Sequence, residues 1–334
     1  MRAGRRRWLG ILVLATLVLG GVASAEPYRA PRTAHGQPDL QGIWNNATLT
    51  PFERDPKFGD RLVLTPEEAA AVERAAADIV ARTAAPTADA ATADELPCGL
   101  NHESCAVNNS WEDSGGRLTR VGGQARSSMI TSPADGRVPY TPMGRAQRVV
   151  VLGDDLPRDN PEDRTVMERC LMHPLQGGPP MLPAMYNNNL QIVQTADHVV
   201  ILVEDVHDAR IVRLGGVHGP PQIRQWMGDS IGHWDGETLV VETINQRAEQ
   251  AAHGQGPQAK VTEWFTRIAS DQILYRFAME DPQAYTQPWR GEQVLQAGRG
   301  PIYEYGCHEG DRGMEGILGG ARYEERAAAA RTAR

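Results

Sequence analysis

The chain has 334 residues, room for one large domain or two ordinary ones, and its 41% hydrophobic and 23% charged residues mark it as globular rather than disordered. The net charge of −8 becomes −12 once the four Arg of the first 25 residues are removed, which argues against a nucleic-acid partner. Lys57 and Lys260 are the only lysines, so Schiff-base and P-loop chemistry have few candidates, and the 34 Gly and 23 Pro favour turns over long helices.

Residues 1–25 read as a secretory signal. Arg2, Arg5, Arg6 and Arg7 form a basic start, Trp8 to Val22 an apolar run, and Ala23-Ser24-Ala25 a cleavage site. The apolar run is short for a membrane span, so no stable membrane anchor is expected after cleavage. Arg5-Arg6-Arg7-Trp8-Leu9 loosely fits a twin-Arg signal, but so apolar a run favours the ordinary unfolded-export route. The mature chain is thus expected in the periplasm or outside the cell, where disulfides persist. Its four cysteines, Cys98, Cys105, Cys170 and Cys307, allow three pairings. In one of them Cys98 and Cys105 close a local loop and Cys170–Cys307 ties the middle of the chain to its end.

Residues 26–185 read as a long, irregular N-terminal arm packed on a barrel built by the residues after it. One helix stands in the arm, at about 66–82, where Thr65 caps, Pro66 takes the first helical position and Glu68 completes a capping box. From 186 to 297 the texture changes to strand-length apolar runs with turn signals between them. The runs are Leu190–Thr195, His198–Asp205, Arg210–Leu214, Ser230–Trp234, Thr238–Ile244, Val261–Ile268, Ile273–Glu280 and Trp289–Ala297. The fold class is therefore mainly β. About eight strands in an antiparallel meander close into a lipocalin-like barrel or a strongly curved sheet, wrapped by the arm. Residues 298–323 are expected to cover the barrel mouth, and 324–334 to be a frayed tail.

Four clusters carry candidate chemistry. Tyr186-Asn187-Asn188-Asn189 concentrates amides at a strand start, or is simply a turn. Glu204-Asp205-Val206-His207-Asp208-Ala209-Arg210 packs carboxylates, an imidazole and a guanidinium into one hairpin. In it His207 is the candidate base, oriented by Asp208, and Arg210 the holder of an anionic oxygen. His233 and Trp234 in Gly232–Gly236, and His308 and Glu309 after Cys307, form the other two. Tyr186, His233 or His308 would supply the acid, while Glu204 and the Asn run position a substrate. Trp234, Trp264 and Tyr275 would line an aromatic wall. No cofactor is predicted. A divalent metal held by His207, His233 and His308 is an option that spacing supports weakly, since no HExxH occurs. Gly228-Asp229-Ser230 lacks the strand–turn–helix setting of a nucleophilic serine, and there is no dinucleotide fingerprint or Walker loop.

The phrases Gln37–Asn45, Gly177–Pro183, Tyr186–Asn189, Val206–Arg210, Gly232–Gly236 and Cys307–Gly310 resemble those of a family of secreted bacterial proteins mostly without an assigned function. The resemblance runs from residue 37 to about 322. It implies export and a single unit, not a reaction. The meander is similar to calycin-type barrels such as lipocalins, a likeness of fold only. The expected activity is acid–base chemistry of lyase, isomerase or hydratase type on a small organic molecule in the barrel pocket. The alternatives are a non-catalytic small-ligand binder of lipocalin type and an envelope structural or assembly protein.

Overall fold

The computed structural model describes residues 28–83, 113, 115–152, 156–250 and 252–332. Residues 1–25, Cys98 and Cys105 lie outside them. In chain order the strands are β1 (Gly42–Asn45), β2 (Arg120–Val121), β3 (Gln124–Ala125), β4 (Ile130–Ser132), β5 (Asn189–Gln194), β6 (His198–Val203), β7 (Ala209–Leu214), β8 (Asp229–Asp235), β9 (Thr238–Ile244), β10 (Lys260–Ala269), β11 (Gln272–Glu280) and β12 (Trp289–Ala297). The helices are α1 (Pro66–Thr83), α2 (Pro142–Leu152), the single turn α3 (Cys307–Gly310) and α4 (Arg312–Thr332). No helix among the described residues is long and apolar enough to cross a membrane.

Strands β5 to β12 run in sequence order, and β1 pairs with both β5 and β12, so nine strands close into a barrel, with β4 added outside β12. Alternation produces it. Along β5 and β6, Leu190, Ile192, Val199, Ile201 and Val203 are buried while their neighbours are more exposed. Two features differ from the meander expected from sequence. The arm itself supplies a strand, with Trp44 opposite Leu190 and Ala297. And β7 pairs with β8 in parallel, because the chain from 215 to 228 crosses back the length of the barrel before β8 begins. That crossover is pinned at His218, whose ring nitrogens lie 3.2 Å from Asp229 and 3.3 Å from Glu242, and at Gly219, whose N–H donates to Asp229 over 2.6 Å.

The barrel has two unlike ends. The turns at 195–197, 236–237 and 270–271 lie at the upper one; the turn at 204–208 and the connections 245–259 and 281–288 lie at the lower. The lumen is packed. Phe265, Tyr275, Phe277 and Trp289 are fully buried, and Phe277 lies over Gly291, where a Cβ would come within 2.3 Å of its ring. The segment from Leu171 to Leu182 enters from below as a plug. Its Met181 N–H donates to the Tyr275 hydroxyl (2.9 Å), and Gln293 donates to the Met181 carbonyl (2.8 Å). Beneath Tyr275 lies a fully buried ion pair, Arg210 bidentate to Glu263 at 2.6 and 3.0 Å, with Tyr275 donating to the same carboxylate at 2.7 Å.

Outside the barrel, α1 opens on a capping box, Thr65 N–H to Glu68 (2.8 Å) and Glu68 N–H to the Thr65 hydroxyl (3.2 Å). From residue 324 the chain continues α4 to Thr332, a run of helix-favouring Arg, Glu and Ala, with nothing on that helix buried. Cys170 and Cys307 form a disulfide that joins the plug to this C-terminal segment.

Candidate active site at the lower end of the barrel

Strand β6 ends in a turn that carries the densest ionisable cluster. Asp205–His207 make one 3-10 turn, inside which Val206 has φ 61° and ψ 7°. A buried β-branched residue in the left-handed region is strained, and such strain clusters at functional sites. The turn is held by Val203 N–H to the Asp208 carbonyl (3.0 Å) and Glu204 N–H to the Asn189 carbonyl (3.0 Å).

At its centre is Asp205, with no exposed surface. Neither carboxyl oxygen has a hydrogen bond of normal geometry among the described residues. Its nearest polar neighbours are Nε2 of His173, 3.7 Å away, and the Tyr305 side chain, which lies against both Asp205 and Tyr186. Burial, reinforced by the charge of Glu204 and opposed by Tyr305, pushes the Asp205 carboxyl up to about 7. His173 is pushed down to about 4 by burial, so its ring is neutral at pH 7. Its Nδ1 faces the backbone N–H groups of Leu175 (3.2 Å) and Gln176 (3.3 Å), which assigns the ring proton to Nε2, the atom facing Asp205. Tyr305 is pushed up by burial and by its neighbours Tyr186 and Asp205, so it remains a phenol donor. A carboxyl that ionises near neutrality thus stands among neutral donors.

The amides form the rim. Asn189 donates to Glu204 (2.8 Å), and Asn45 donates to Asn189 and to Asp113 (3.0 Å each). Asn187 adopts the left-handed turn conformation. Asn188 is structural: buried, it accepts from Gln176 and the Ala184 N–H and donates to the carbonyls of Asp113 and Ala184.

Of the residues the sequence singles out, Tyr186, Asn187, Asn189, Glu204 and Asp208 surround this turn. The backbone of His207 lies in it, and its side chain is outside the described residues. The others require correction. Arg210 is not free to hold an anionic oxygen, because Glu263 takes both its terminal nitrogens inside the barrel. Tyr275 is a core residue bonded to that pair rather than part of an open wall. Trp264 stands on the outer wall, since Val261, Glu263 and Phe265 take the inward positions of β10. His233 is exposed near the upper end, on the face of β8 opposite Ser230, Gly232 and Trp234, and Trp234 is half-buried and packs against the core rather than lining an open wall. His207 and His233 are therefore more than about 20 Å apart along the barrel and cannot share a metal. Among the described residues no group of three His, Cys, Asp or Glu is arranged to hold one. His308 and Glu309 are exposed on α3, because Cys307 takes the inward position of that turn and the next two residues rotate away.

His173 and Tyr305 are not among the candidates the sequence offers, and Asp205 stands in its charged cluster without an assigned role. Asp205 carried a signal: period two places it on the inward face with Val199, Ile201 and Val203. His173 sits in a Pro- and Gly-rich stretch with no period, and Tyr305 beyond the last strand.

Their titrations oppose one another. The raised Asp205 contributes stability in full below its ordinary 3.8, and loses it as pH rises through about 7. His173 and His253, the latter pushed down to about 3 by burial and by Arg148, contribute in full above their ordinary 6.5 and lose it as pH falls through those values. Asp205→Asn removes the opposing contribution. Its unfolding temperature should therefore climb more steeply than that of the unchanged protein from about pH 4 to pH 7; parallel curves would mean that Asp205 titrates as an ordinary carboxyl.

No family model matches the chain, and no curated protein matches it.

Proposed function

We propose that this protein is an exported acid–base enzyme that moves a proton on a small organic molecule, in lyase, isomerase or hydratase chemistry, at the lower end of its barrel. One observation carries the reading: a fully buried carboxyl, Asp205, sits on a strained turn with no hydrogen bond of normal geometry to either oxygen among the described residues, facing the donor side of His173 and the Tyr305 side chain. A buried carboxyl without well-formed hydrogen bonds is expensive, which marks it as a functional candidate. Near neutrality Asp205 takes up or releases a proton with little driving force either way, which suits a general acid–base. The His173 Nε2–H and the Tyr305 hydroxyl are the donors for negative charge that develops on the substrate. Asn189 fixes Glu204 at the rim. The reading invokes no cofactor and no covalent nucleophile.

The packed lumen speaks against a lipocalin-type ligand chamber, because aromatic side chains and the plug fill the described interior. Export is supported by the composition of residues 1–25 and by the Cys170–Cys307 disulfide, which suits an oxidising compartment.

The test compares the protein with Asp205→Asn, each incubated with a complex mixture of small metabolites followed by mass spectrometry. The unchanged protein should convert at least one compound, and the variant should be slower by a factor of about 10² to 10⁴ while remaining folded. A conversion that survives the substitution, or no conversion by either protein, would overturn the proposal.

A further inference from the structure

Arg210 faces the lumen and is engaged there by Glu263, so it offers no charge to the outer wall of the barrel. A cleft of about 420 Å³ runs between the outer wall of β1, β5 and β6 and the extended segment 301–304, small among ligand sites of roughly 300–1,000 Å³. Ile43, Leu202 and Ile302 make its walls apolar. Glu204, Glu304 and the Tyr303 ring supply its polar and aromatic edge, and among the described residues no basic side chain lines it. Glu204 and Glu304 each adjoin, in sequence, one of the two residues that meet at the buried carboxyl, Asp205 and Tyr305.

We infer that this cleft is the substrate subsite and that its ligand is a small apolar amine, with its hydrocarbon part against Ile43, Leu202 and Ile302 and its cationic nitrogen between Glu204, Glu304 and the Tyr303 ring. Carboxylates and an aromatic ring lining an apolar cleft are the groups that attract an ammonium, and the same groups repel a carboxylate or phosphate. Glu204 is the stronger of the two acids for this purpose. It is nearly buried and held by Asn189, so it meets a cation with little reorganisation, whereas Glu304 is exposed and screened. The inference rests on the proposed acid–base site for its reaction but not for binding itself.

The experiment is calorimetric titration of the full mature chain with benzyltrimethylammonium and 2-phenylethylamine, and with phenylacetate as the anionic counterpart. The cations should bind, phenylacetate should not, and added salt should weaken binding. Glu204→Gln should weaken the cations about tenfold or more. Leu202→Trp, which fills the cleft without changing any charge, should abolish binding even if Glu204→Gln proves unstable. If the unchanged protein binds the amines but converts no metabolite, the acid–base reading fails and this result stands. Tighter binding of phenylacetate, no binding of any probe, or amine binding indifferent to Leu202→Trp would overturn the inference.

Discussion

Glu263→Ala is expected to destabilise the protein by about 3–5 kcal/mol, because it strands a guanidinium in the core. Arg210 is 2% exposed and donates twice to Glu263, which is fully buried; the Tyr275 hydroxyl donates to the same carboxylate. Burial opposes the Arg210 charge, and Glu263 more than offsets that opposition. Burial and the same carboxylate push the Tyr275 hydroxyl well above its ordinary value. Removing Glu263 therefore leaves a charge and a hydroxyl without their acceptor at once. Denaturant unfolding should show the loss as a lower midpoint. The paired substitution Arg210→Met with Glu263→Leu should restore most or all of it, since well-packed apolar side chains commonly match or exceed a buried pair. If Glu263→Ala fails to fold, the double variant still decides the point. A double variant as unstable as the single one would show that the pair is held for more than charge neutrality.

That pair also explains the division of labour in the barrel. The plug is bonded through Met181 to Tyr275 and Gln293, so one hydrogen-bonded network ties the buried ion pair to the segment from Leu171 to Leu182. A lumen spent on this network is a rigid frame rather than a ligand chamber. The proposed chemistry lies at the lower rim, where the plug presents His173, the turn after β6 presents Asp205, and the C-terminal segment presents Tyr305. Three parts of the chain far apart in sequence meet on one carboxyl, and each is fixed by a different element of the scaffold.

Strands β5, β6, β9 and β10 were legible because a half-buried strand writes its environment as alternation, and the hairpin turn Asp235-Gly236 marks itself with a glycine at φ 57°. The inward face of β10 is not purely apolar, because it holds Glu263 between Val261 and Phe265. The partner that makes a buried glutamate tolerable lies 53 residues away, at Arg210. Local pattern cannot show such a pair, so Arg210 read as a free clamp. β1 escaped for another reason: four residues carry too little periodicity, and Gly42–Asn45 becomes a strand only because β5 and β12 offer it two edges. At the site, sequence adjacency favours His207 and Asp208 as base and orienting acid. Strand phase pointed to Asp205 instead, and the donors opposite it come from irregular segments whose placement depends on the packed barrel and the disulfide.

Loss of the Cys170–Cys307 disulfide should have two separable effects. The first is global. The bridge joins residues 137 apart, and on the chain-entropy account its removal frees the unfolded chain by about 4–5 kcal/mol, so the barrel should unfold at a lower denaturant concentration. The second is local and should appear first. No residue of α4 is buried, and it is tied to the rest of the chain by exposed polar contacts such as Arg322 to the Asp159 carbonyl at 2.9 Å. Contacts of that kind contribute about 1 kcal/mol or less. Without the bridge, the segment from about residue 301 onward has little to hold it against the barrel, and Tyr305 leaves Asp205 with it. Mild reduction by a dithiol, or Cys307→Ser, should therefore make the C-terminal segment sensitive to protease while the barrel remains folded. Water then reaches Asp205, and the burial that raises its carboxyl is relieved, so any pH dependence of turnover governed by that group should move to lower pH. A C-terminal segment that stays protected after reduction would mean that packing, not the disulfide, seats Tyr305 over the carboxyl.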